Sequence, residues 1–73
     1  MACVNPDGTV TRPGKLILQA LVDGAATPEE AAEVSSIPVY RVRSGLREMA
    51  QAGYIQEENG RYTITDLGRA RLR

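Results

Sequence analysis

The sequence predicts a small α+β domain, mainly helical, in which three helices are followed by a β-hairpin and a short final helix. Three observations carry this expectation. Apolar residues recur at helical spacing between Leu16 and Leu21, and again between Val39 and Ala50. Thr27, Pro28 and Glu30 have the spacing of a capping box with proline at the first helical position. Asn59-Gly60 is the preferred pair for a two-residue type I′ hairpin turn, and it separates "YIQEE" from "RYTIT".

The elements follow in order. In "VNPDGTVT", Pro6 suits the first central position of a type I turn and Val4 and Val10 flank it, which predicts either a tiny hairpin or a loose arm. Residues 1–13 are set apart on this basis from a domain over residues 14–73. Helix 1 lies in "TRPGKLILQALVDG", with Thr11 as cap, Leu16, Ile17, Ala20 and Leu21 as its apolar positions, and Gly24 as its stop. Helix 2 starts at Pro28 and ends near Ser35. Helix 3 begins after Ser36, with Pro38 in the first turn, where a missing amide breaks no bond.

On helix 3, Val39, Val42, Leu46, Met49 and Ala50 form one stripe, and Tyr40, Arg41, Ser44, Arg47, Glu48 and Gln51 project from the other side, with Arg43 on the flank. Glu48 there could pair with Ser44 or with the arginine rows. Gly45 costs about 1 kcal/mol in a helix interior relative to alanine, so it implies close packing or the close approach of a partner. Gly53 ends the helix. The type I′ turn places Ile55 opposite Ile64, Gln56 opposite Thr63, Glu57 opposite Tyr62, and Glu58 opposite Arg61 as a charged pair closing the tip. Ala25-Ala26 can add a short third strand. Thr65 caps a final short basic helix.

Composition narrows the function classes. A chain of 73 residues holds one domain, and with three tyrosines as its only aromatics the core must be aliphatic. Net charge is zero, yet five acids face two bases through Tyr40, a balance of −3, and seven arginines face four acids from Arg41 onward, a balance of +3. A basic second half points to an anionic partner. Cys3 is the only cysteine and histidine is absent, which excludes an intrachain disulfide, an imidazole general base and the usual cysteine or histidine metal centres. Cys3 itself reads as a buried or frayed terminal thiol rather than a reactive one. No signal-like or membrane-spanning stretch is seen, so a cytoplasmic location is expected.

The run "TPEEAAEVSSIPVYRVRSGLREMAQAGYI" followed by "ENGRYTITDLGR" resembles a winged helix-turn-helix domain. Val42, Leu46, Met49, Ala52, Gly53, Tyr54 and Ile55 match the family's helix 3 and its exit, and Tyr62, Ile64, Thr65, Gly68 and Arg69 match the end of the wing. The core is similar to that of MarR-like and ArsR-like repressors, without the flanking dimerisation helices of the former or the metal ligands of the latter. The resemblance covers residues from about Leu16 to Leu72. It implies a three-helix core with a C-terminal wing, and DNA-facing residues at Tyr40, Arg41, Arg43, Ser44, Arg47 and Gln51, with Ser35 or Ser36 near the phosphates and Arg61 at the wing tip.

The chemistry suits that task independently. Arginine can fork onto guanine O6 and N7 or clamp a phosphate, and Tyr40 and Ser44 are phosphate donors. The expected function is therefore sequence-specific binding of double-stranded DNA as a small transcriptional regulator, with a weak or DNA-induced homodimer. The alternative is a winged-helix module that binds an acidic protein partner through the same face. No Gly-rich phosphate loop, carboxylate pair or metal-ligand spacing is present, so neither an enzyme, a cofactor, a metal nor a small-molecule effector is expected.

Overall fold

A computed structural model of the chain describes residues 2–73. Local chemistry sets the helix ends. α1 spans Arg12–Val22, and the Thr11 hydroxyl caps it by accepting from the Gly14 amide at 3.3 Å while donating to the Ala2 carbonyl at 2.9 Å. At its other end the Gly24 amide reaches the Leu21 carbonyl and the Ala25 amide reaches the Ala20 carbonyl, the two bonds of a Schellman motif. α1 buries Gly14, Ile17, Leu18, Ala20 and Leu21. Leu16, expected on the apolar face, is 43% exposed instead. The reason is angular: at about 100° per residue, Leu18 lies about 60° from Leu21 around the helix, whereas Leu16 lies about 140° away.

α2 spans Pro28–Ser35 and carries the complete capping box, with the Thr27 hydroxyl accepting from the Glu30 amide and the Glu30 carboxylate accepting from the Thr27 amide, both at 3.2 Å. It ends on Ser36 in the left-handed region, at φ 61°. α3 spans Val39–Gln51. Pro38 is its N-cap and not part of its first turn, because its ψ of 141° is extended, and its carbonyl accepts from the Arg41 and Val42 amides. α3 buries Val42, Gly45, Leu46 and Met49, leaves Ala50 half-buried, and leaves Val39 37% exposed because that residue stands at the uncovered first position. A second Schellman pair closes it, from Gly53 to Ala50 and from Tyr54 to Met49.

β1, Ile55–Glu58, and β2, Arg61–Ile64, form an antiparallel hairpin in the expected register, with Ile55 opposite Ile64 and Glu58 opposite Arg61. Asn59 at φ 55° and Gly60 at φ 82° supply the two left-handed residues that a type I′ turn needs. The tip is closed differently from expectation. The Glu57 carboxylate accepts the Gly60 amide at 2.7 Å, which costs less side-chain ordering than an exposed Glu58–Arg61 ion pair, and that pair is not formed. The third strand is also reduced: the sheet has two strands, and the segment before α2 contributes one bond, from the Tyr62 amide to the Ala26 carbonyl at 2.7 Å. The Ala26 amide is taken by the Glu30 carboxylate and Thr27 already caps α2, so the segment does not extend as a strand. α4, Asp66–Ala70, is capped by Thr65.

The described residues thus form a compact α+β domain, about half helical, with four helices and one hairpin, an arrangement compatible with a winged helix. Its core is built from Ile17, Leu18, Val42, Leu46, Met49 and Cys3. Cys3 belongs to a small N-terminal hairpin, bridged at Val4 and Val10 and turned at Pro6-Asp7, which packs onto α1 and α3. A methyl group at Gly14 would lie 2.6 Å from the Cys3 carbonyl oxygen, and one at Gly45 would lie 2.6 Å from the Cys3 sulfur. Close packing therefore accounts for Gly45. The Tyr54 hydroxyl donates to the Gly8 carbonyl, and Arg71 lies over the Tyr54 ring at 5.6 Å, joining the N-terminal hairpin to the C-terminal elements.

Candidate nucleic-acid interface on α3

The 3.6-residue period places Tyr40, Ser44, Arg47 and Gln51 along one outward line of α3, since they are spaced four, three and four residues apart. All four are exposed, as are Arg41 and Arg43 on the two flanks of that line. Glu48 is the one acid on α3, and the sequence reading put it with the outward set. It is half-buried, and its two carboxylate oxygens accept the backbone amides of Cys3 and Val4, each at 2.9 Å. The N-terminal hairpin leaves two amides needing acceptors, and Glu48 lies on the flank facing them. As a result the outward line of α3 carries no negative charge of its own.

The three arginines have different surroundings. Arg43 forms an ion pair with Glu29 of α2, on side chains that are both largely exposed. Arg47 opens into a cleft between α3 and the hairpin, lined also by Pro28, Arg43, Ala50, Gln51, Glu57 and Tyr62. Arg41 donates from Nε to the Tyr40 hydroxyl at 3.1 Å, with its guanidinium carbon 5.7 Å from the centre of the Tyr40 ring.

The expected site residues are therefore brought together in part. Arg43, Arg47 and Gln51 share the cleft, Tyr40, Arg41 and Ser44 continue the same face toward the start of α3, and Ser36 lies in the α2–α3 connection. The Ser35 hydroxyl is committed to its own backbone, donating to the Ala31 carbonyl and accepting from the Ile37 amide. Arg61 stands apart. It lies on the hairpin face opposite Glu57 and Tyr62, next to Glu58 and close enough to Glu30 to help hold that carboxyl below its usual range, after the Ala26 and Thr27 amides. Among the described residues no cluster of ligands suited to a metal ion occurs, and no helix is long and apolar enough to cross a membrane.

Sequence reasoning put Glu48 on this face and missed both its withdrawal to the N-terminal hairpin and the pairing of Glu29 with Arg43. Glu48 and its partners are 44 and 45 residues apart, and Glu29 and Arg43 are 14 apart, so no local spacing announces either contact. The Cys3 thiol is fully buried, and its pKa is raised, first by burial and then by the nearby Glu48 carboxylate. No family model matches the chain, and no curated protein or solved structure matches it significantly.

Proposed function

We propose that the chain is a winged helix-turn-helix domain that binds double-stranded DNA, with α3 in the major groove, the hairpin as its wing, and transcriptional regulation as its role. One observation carries this reading. α3 presents Tyr40, Arg41, Arg43, Ser44, Arg47 and Gln51 outward while its single carboxylate is turned away to the N-terminal hairpin. With its side chains a helix is about 10–12 Å across and the major groove is about 12 Å wide, so the 13-residue α3 can lie in the groove. The guanidinium groups offer forked donors for guanine edges and phosphates, and Ser44 between them and Gln51 beyond them add neutral donors.

The test is the salt dependence of duplex binding. With about four to six phosphate contacts, log affinity is expected to fall with log salt at a slope of about −0.9 per contact. An affinity that does not change with salt contradicts the reading. A second reading is favoured by Glu57 and Glu58, which sit on the hairpin where a wing would meet phosphate. In it the same α3 face binds an acidic protein partner. Replacing Arg41, Arg43 and Arg47 by alanine would then abolish partner capture and leave an already weak DNA affinity unchanged.

A further inference from the structure

The surroundings of the α3 arginines sort them by task. Arg43 is held by a carboxylate, and Arg47 borders the cleft beside Gln51, Glu57 and Tyr62. Arg41 is held by a neutral group. Adjacent residues on a helix point about 100° apart, so a contact between Tyr40 and Arg41 draws the guanidinium from the flank of α3 back toward its outward line. Tyr40 stands 65% exposed in the first turn of α3, where no earlier helical turn obstructs this bend.

The bond uses Nε, which leaves both Nη groups unengaged on the outer edge of the guanidinium. That edge carries two parallel N–H donors spaced for guanine O6 and N7. Its place near the start of α3 is the part of such a helix that meets base edges. Resting on the DNA-binding reading, we infer that Tyr40 is a positioning residue that presents the Nη edge of Arg41 to one guanine in the major groove, while Arg47, which no carboxylate among the described residues pairs, grips the phosphate backbone. The neutral tyrosine orients the guanidinium without cancelling its charge, which a carboxylate in the same place would do.

The experiment is a selection of preferred duplexes from a randomised pool, followed by affinity measurements on the selected site and on copies with each guanine replaced. The wild-type chain is expected to prefer guanine at one position by roughly 5- to 150-fold. Arg41→Lys keeps the charge and the salt slope but loses that preference. Tyr40→Ala loses most of it, and Tyr40→Phe, which keeps the ring and removes the acceptor, loses part of it. Arg47→Ala weakens every sequence alike and reduces the salt slope by about 0.9. The inference is overturned if either Arg41→Lys or Tyr40→Phe retains the full wild-type preference, or if Arg47→Ala is the variant that erases it. Binding without any Arg41-dependent guanine preference defeats the inference alone, whereas a wild-type chain that binds no duplex at low salt defeats the DNA-binding reading together with it.

Discussion

Glu48 joins two parts of the chain that nothing local connects. Its carboxylate holds the amides of Cys3 and Val4, so Glu48→Ala strands two backbone donors at a partly buried seam. The expected loss is about 1–3 kcal/mol, read as a fall of roughly 4–8 °C in thermal midpoint per kcal/mol. An unchanged midpoint would show that the amides find other partners. Three titrating groups contribute to the pH profile. Asp7 is held below its usual range chiefly by the Thr9 hydroxyl and then by the Thr9 amide, and Glu30 by the Ala26 and Thr27 amides. Their folded values are lowered, so their contribution is present above the unfolded carboxyl range near about 4 and is lost as pH falls through the folded values. Cys3 has a raised folded value, so its contribution is complete below the thiol's ordinary 9.0 and is lost as pH rises. Urea midpoints should decline at both ends, and Cys3→Ala should remove part of the alkaline decline; an identical alkaline limb in that variant refutes the assignment.

Among the elements, those specified by neighbours in sequence were legible. Thr27, Pro28 and Glu30 fall within one turn, and they start α2 where their spacing indicated. Asn59-Gly60 imposes both the turn and the register, so all four cross-strand pairs follow from two residues. Contacts between distant segments were not legible. The seat of Cys3 between Gly14 and Gly45 and the withdrawal of Glu48 both depend on where the N-terminal hairpin lands. Gly45 shows the difference most clearly. Its helical cost pointed to close packing or a close partner, and only the fold identifies the neighbour as the Cys3 sulfur. Gly45→Ala gains about 1 kcal/mol of helix propensity, yet its methyl would meet the sulfur at 2.6 Å and Ile17 Cδ1 at 3.1 Å. A net destabilisation of about 1–3 kcal/mol is expected, and it should shrink in a Cys3→Ala background, where the sulfur is gone. Equal costs in both backgrounds, measured by urea unfolding, would remove the sulfur as the cause.

For the molecule as a whole, the charge asymmetry of the two halves becomes an asymmetry between adjoining surfaces. α2 contributes Glu29, Glu30 and Glu33, whereas α3 contributes Arg41, Arg43 and Arg47. The Glu29–Arg43 pair marks their boundary, and as an exposed pair it contributes at most about 1 kcal/mol. The arginines of the candidate site were legible from helical periodicity, since outward positions need only a count of residues along α3. The surroundings of Arg43 and Arg47 were not, because Glu29, which pairs with Arg43, and Glu57 and Tyr62, which line the cleft with Arg47, come from other elements. The proposal that this surface binds DNA is tested most directly by titrating labelled protein with a random duplex of about 16–20 base pairs and following backbone amides at low and moderate salt. The expected result is that amides of residues 36–48 and 58–62 shift together and that the shifts collapse as salt is added. If no amide in these segments moves at low salt, the α3 face does not bind duplex DNA and the proposal is contradicted.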